Sequence, residues 1–145
     1  MQELLYLKDE QIKEIIEKLF IAYRESYSDS KNILNKHKLG IAHHKVILLS
    51  SIYKGITISD LLKRLKVTKQ SLNRVLKDLL KKDILSFEKG KKDNRLKHVH
   101  LTKTGKKIFD ELFFVQKKRI YKALLNSSSK EVLFFNNVMK KIINE

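Results

Sequence analysis

The stretch from Thr68 to Lys107, TKQSLNRVLKDLLKKDILSFEKGKKDNRLKHVHLTKTGKK, changes its hydrophobic period in mid-course, from helical to strand spacing. Leu72, Val75, Leu76, Leu79 and Leu80 lie three or four residues apart, along one face of a helix. The opposite face carries Lys69, Gln70, Asn73, Arg74, Lys77 and Lys81. After Asp83 the helical period stops, and residues 84–89 and 96–101 are expected as two short strands. Gly90 to Arg95, polar and basic, joins them as a hairpin loop. Thr102 then reopens a helix, expected over 103–125. A basic helix followed at once by a basic hairpin is the pattern to be explained.

The rest of the chain is helical in pattern and free of proline. Residues 8–36 predict one long helix with an apolar stripe of Ile12, Ile15, Ile16, Leu19, Phe20, Tyr23 and Tyr27. Ser26 to Ser30 weaken its middle and invite a kink. Gly40 interrupts it. A helix over 42–54 follows, with Val46, Ile47, Leu49 and Ile52 expected to face inward, and Gly55 ends it. Thr57-x-x-Asp60 has capping spacing, so a helix carrying Ile58, Leu61, Leu62 and Leu65 starts there. Thr68 caps the next one. Near the end, Ser128-x-x-Glu131 matches a capping box for a last helix over 130–144, with Val132, Leu133, Phe135, Val138, Met139, Ile142 and Ile143 at helical spacing. Both chain ends thus carry more apolar surface than one small head can cover. Intertwined terminal helices of a homodimer would bury it.

Charge separates the head from the ends. The chain has 32 Lys and Arg against 16 Asp and Glu, but residues 1–36 carry 6 basic and 7 acidic groups. Residues 57–107 carry 16 basic and 5 acidic. A uniformly Lys-rich composition would not leave one end slightly acidic, so the excess points to a polyanionic partner. Hydrophobic residues make up 42% of the 145, enough for one domain with a real core. No run of eighteen apolar residues occurs, and the start, MQELLYLKDEQ, lacks the basic-then-apolar order of a signal peptide. A cytoplasmic protein with no membrane partner is expected. The absence of cysteine excludes disulfides and thiolate metal sites. Of His37, His43, His44, His98 and His100, the last two project from the same face of a strand, but no H-x-x-x-H or Cys/His cluster appears, so neither metal nor cofactor is expected. Nor is there a nucleophile elbow, phosphate loop or H-E-x-x-H, which argues against an enzyme.

The helix after Thr68 has the side chains that base edges require. Gln and Asn bond adenine through two atoms, and Arg does the same with guanine. Gln70, Asn73 and Arg74 are i, i+3 and i+4 neighbours, so one groove could meet all three. Thr68, Lys69, Ser71 and Lys77 suit phosphates, as do Lys89, Lys91, Lys92 and Lys97 of the hairpin. Arg95 at the tip suits a narrow minor groove, with Asp93 orienting its guanidinium. A structural or RNA-binding protein that reads charge and shape would use the same basic surface. Gln70 and Asn73 favour sequence reading.

Three segments, VTKQSLNRVLKDLLKKDIL, the tip Asp93-x-Arg95 and LTKTGK, resemble the MarR family of bacterial winged helix-turn-helix regulators. Upstream, ITISDLLKRLK fits the first helix of the helix-turn-helix, and the long flanking helices extend the resemblance over nearly the whole chain. The resemblance implies a mainly α fold with a small β-hairpin wing. It implies one domain, 1–145, in which 41–102 form the DNA-binding head and 8–36 and 103–145 are dimerisation helices. On that reading Ile12, Ile16, Leu19, Tyr23, Val132, Phe135 and Ile142 meet a second copy. The partner is double-stranded DNA bearing a pseudo-palindromic operator, with half-sites about 10 bp apart. The protein would associate with the nucleoid. Members of the family often bind a small-molecule effector, for which the sequence assigns no residues here.

Overall fold

Hydroxyl caps set several of the helix starts. The computed structural model describes residues 4–90, 92 and 95–144. In chain order, after a 3-10 turn at Leu5–Leu7, the described elements are α1 (Asp9–Ser28), α2 (Lys31–Lys36), α3 (Ile41–Ile52), β1 (Ile56–Thr57), α4 (Ile58–Leu65), α5 (Lys69–Lys81), β2 (Leu85–Lys89), β3 (Lys97–Leu101), α6 (Lys103–Leu125) and α7 (Ser129–Ile142). Thr57 accepts the Asp60 N–H at 3.1 Å, and Thr68 accepts the Ser71 N–H at 3.1 Å. Ser128 accepts the Glu131 N–H at 3.2 Å while the Glu131 carboxylate accepts the Ser128 N–H at 2.6 Å. Each cap satisfies an amide that the first helical turn leaves without a partner.

The weak point foreseen near Ser26 to Ser30 is a full break, with α1 ending at Ser28 and α2 starting at Lys31. The Ser28 hydroxyl donates to the Glu25 carbonyl at 3.0 Å, a local bond that competes with the helical ladder. Two compact units divide the chain on either side of this break: Ser30–Phe113, and Met1–Asp29 with Phe114–Glu145.

In the unit Ser30–Phe113, a three-stranded antiparallel sheet has the order β1-β3-β2. The sequence predicts only the hairpin of β2 and β3. The additional strand is two residues long, too short for a period to register, and follows Gly55, whose φ of +74° makes the turn. Val99 pairs with Ile56 on one side and Phe87 on the other and is fully buried. Ile47, Leu61, Leu72, Leu79, Ile84 and Leu112 pack in the same core, so helices α3 to α6 and the sheet share one apolar centre. Ile52 departs from expectation: it is 58% exposed. Five residues beyond buried Ile47 a helix has turned by about 140°, which carries Ile52 off the inner face, and Ser50 sits buried there instead. His44 is also buried, 3.3 Å from Ser30 Oγ through Nδ1, and burial pushes its pKa down.

The other unit consists of α1, the end of α6 from Phe114, and α7. Gln116 Nε2 donates to the Ser26 carbonyl and hydroxyl at 3.1 and 2.9 Å. Arg119 forks onto Asp29 at 2.6 and 2.9 Å, and its hydrogen bonds hold the Asp29 carboxyl below the usual carboxylate range. Neither α1 nor α7 buries any residue. Among the described residues no helix is long and apolar enough to cross a membrane.

Candidate nucleic-acid interface

The helix-turn-helix is built from α4 and α5. Thr57 starts α4, and Lys66 at its C-terminus takes φ +51°, a left-handed residue that turns the chain toward Thr68. Leu72, Leu76 and Leu79 bury one face of α5 in the core. That anchoring leaves Lys69, Gln70, Asn73, Arg74, Lys77 and Lys81 exposed, as the period predicts. Thr68 and Ser71 stand exposed at the N-terminus, the Thr68 hydroxyl donating to Ser71 Oγ at 2.8 Å. The row therefore combines base-type donors and acceptors with hydroxyls at the positive end of a helix dipole.

The wing is the hairpin of β2 and β3, in register from Leu85 opposite Leu101 to Lys89 opposite Lys97. The Gly90 N–H donates to the Leu96 carbonyl at 2.8 Å and closes its described end. Lys89, Lys92, Arg95 and Lys97 are exposed, and Lys97 Nζ lies 5.7 Å from the centroid of the Phe87 ring. Lys91 and Asp93 lie outside the described residues, and with them the pair expected between Asp93 and Arg95.

The root of the wing explains the sequence Leu101-Thr102-x-x-Gly105. Thr102 Oγ1 donates to the Asp83 carbonyl and accepts the Gly105 N–H at 3.0 Å, while the Thr102 N–H donates to the Ile84 carbonyl at 3.0 Å. A Cβ on Gly105 would fall 2.1 Å from the Ile84 oxygen, so only glycine lets α6 approach so closely.

Two contacts on the head have no local sequence signal. Arg64 of α4 stacks on Tyr53, 3.9 Å from its ring centroid. His43 of α3 meets Asp78 of α5 at 2.8 Å. Of the other histidines, His98 Nδ1 lies 2.8 Å from the Gly55 carbonyl, and His100 Nε2 lies 3.3 Å from Glu88. Among the described residues no three His, Cys, Asp or Glu side chains form a group that could hold a metal ion.

In the helical unit, Ile12, Ile16, Leu19, Tyr23, Phe135 and Ile142 are exposed and Val132 is half-buried. Leu19, Tyr23, Phe135 and Ile142 line an almost wholly apolar groove of about 700 Å³ between α1 and α7.

Comparison with known proteins follows the same outline. A family model described as the MarR family matches residues 39–96. The HTH-type transcriptional regulator PetP of Rhodobacter capsulatus is 37% identical over 142 residues, covering 98% of this chain and 86% of the relative. Among solved structures, a MarR-family transcriptional regulator from Silicibacter pomeroyi has a TM-score of 0.78 at 18% identity, over 98% of this chain and 94% of its own. A MarR mutant from E. coli, complexed with operator DNA, has a TM-score of 0.66 at 21% identity, over 97% and 99%. At such identities the solved structures establish a common fold.

Proposed function

This chain belongs to the MarR family of winged helix-turn-helix transcriptional regulators, which are not enzymes, and we propose that it regulates transcription as a homodimer bound to a specific DNA operator. The observation that carries the proposal is the row Gln70, Asn73, Arg74 and Lys77, exposed on α5 directly behind the buried Leu72, Leu76 and Leu79. Each copy lays α5 in a major groove. Gln70, Asn73 and Arg74 meet base edges, and Thr68, Lys69, Ser71 and Lys77 meet phosphates. Lys89, Lys91, Lys92 and Lys97 hold the backbone beside the wing, and Arg95, oriented by Asp93, enters the minor groove. Residues 41–102 act as the DNA-binding head, and residues 8–36 and 103–145 act as dimerisation helices within one MarR-like domain.

The second copy covers the apolar surface of the helical unit. Ile12, Ile16, Leu19, Tyr23, Phe135 and Ile142, between 37% and 61% exposed, leave apolar area in water that a monomer has no reason to keep. Val132 completes the patch. A two-fold dimer calls for half-sites about one helical turn apart. The experiment has two readings. Selection from a random duplex library should enrich a pseudo-palindrome, and analytical ultracentrifugation at micromolar concentration should give a dimer. Recovery of no enriched sequence refutes specific reading, and a folded monomer refutes the assembly.

A further inference from the structure

His43 occupies the third position of α3, outside the helix-turn-helix, yet both of its ring nitrogens are engaged. The Gly40 N–H donates to Nδ1 at 3.0 Å, and Nε2 lies 2.8 Å from Asp78 Oδ2 on α5. A backbone amide only donates, and an ionised carboxylate only accepts. With these partners Nδ1 accepts and Nε2 donates. Asp78 stays ionised because Lys82, one turn further along the chain, donates to both its oxygens at 2.9 and 3.0 Å, and His43 adds a third bond. These bonds, Lys82 foremost, hold the Asp78 carboxyl below its ordinary range.

Leu72, Leu76 and Leu79 set which face of α5 is buried. Apolar contacts have no preferred direction, whereas the 2.8 Å hydrogen bond between half-buried His43 and Asp78 has one, so it adds a directional constraint on the angle of α5. Asp78 is four residues beyond Arg74 and five beyond Asn73, so a roll that breaks its bond also displaces the reading row. We infer that His43 is a positioning residue for sequence reading: it caps α3 with one nitrogen and, with the other, holds α5 at the angle that presents Gln70, Asn73 and Arg74 to base edges. The inference rests on the proposal that α5 reads DNA, and it adds a determinant of specificity that touches no DNA itself.

The test uses the full-length protein and three variants at His43, each measured on the selected operator and on a random duplex. His43→Gln places an amide oxygen and an amide N–H at nearly the spacing of the two ring nitrogens, so it can keep both bonds. His43→Glu keeps an acceptor for Gly40, as in a capping box, but sets a second carboxylate against Asp78. His43→Leu removes both bonds. The inference predicts that Leu and Glu variants lose about fivefold or more of the operator-to-random preference, the low end of one two-atom base contact. Their affinity for random duplex stays close to wild type, and His43→Gln restores the preference. A stable His43→Glu variant is the decisive case, because its cap survives while its link to α5 does not. Gln70→Ala serves as the reference. If it loses preference while His43→Glu keeps it, the positioning role is wrong and α5 reading stands. A failure of Gln70→Ala and Arg74→Ala alike to change the preference overturns the α5 reading itself. Should the Glu variant fail to fold, His43→Leu carries the same comparison, and an unchanged preference there overturns the inference.

Discussion

Gly105→Ala offers a test in which local propensity and tertiary contact predict opposite signs. Gly105 lies in the first turn of α6, where alanine in place of glycine favours the helix by about 1 kcal/mol. The added methyl, however, would stand 2.1 Å from the Ile84 oxygen, 3.1 Å from its carbon and 3.2 Å from Leu101 Cδ2. The first of these is backbone and cannot rotate away. Either α6 or the start of β2 has to move, at an overpacking cost of about 1–3 kcal/mol. That movement also strains the bond from the Thr102 N–H to the same oxygen, for about another 1 kcal/mol. After the propensity gain is set against these, the variant should be less stable by about 1–3 kcal/mol, or about 2–12 °C in Tm for a chain of this size. Urea unfolding followed by circular dichroism at one fixed protein concentration measures it, since assembly shifts the apparent stability. Thr104→Ala, exposed one position earlier, isolates propensity and should change stability by less than about 0.5 kcal/mol. A Gly105→Ala protein as stable as wild type, or more so, would refute the close-approach argument.

Burial lowers the His44 pKa from its ordinary 6.5, so below that pH the unfolded chain takes up a proton that the folded one resists. Stability should therefore fall as pH drops from 7 toward 5, and His44→Gln should flatten that slope even if it lowers stability at pH 7; urea titrations across the range decide it. Arg95→Ala should weaken operator binding by about 1–3 kcal/mol, the scale of one good groove contact, as measured by fluorescence anisotropy.

Elements with a strong period and a hydroxyl cap were legible in the sequence. Thr68 and the leucine spacing give α5 as Lys69–Lys81, and Thr102 gives α6 as Lys103–Leu125. The polar face of α5 followed from the same leucines, because burying one side of a helix exposes the other. What escaped prediction is non-local. Strand β1 exists because β3 pairs with it across more than forty residues, and two residues carry no period. The His43–Asp78 bond joins positions thirty-five apart, so neither residue announces it. Ile52 is apolar yet exposed, because the turn of the helix brings Ser50 and not Ile52 to the inner face. The glycine of the wing root was recognised by resemblance; its physical reason, the Ile84 carbonyl, appears only in three dimensions.

Salt dependence separates reading from holding, and it tests the central claim most directly. Lys92 lies exposed on the wing and suits a phosphate, whereas Gln70 and Arg74 lie exposed on α5 with two-atom geometry for bases. Operator and random duplexes are titrated with each variant over a range of salt. Lys92→Ala should weaken both duplexes alike and flatten the slope of log K against log salt by about 0.9 for each phosphate it no longer neutralises. Gln70→Ala and Arg74→Ala should instead narrow the gap between operator and random DNA, by about 1–3 kcal/mol for each base edge left unread. If those two variants lose equal affinity for both duplexes and the operator preference survives, α5 is not the reader, and a protein that senses only charge and shape takes its place.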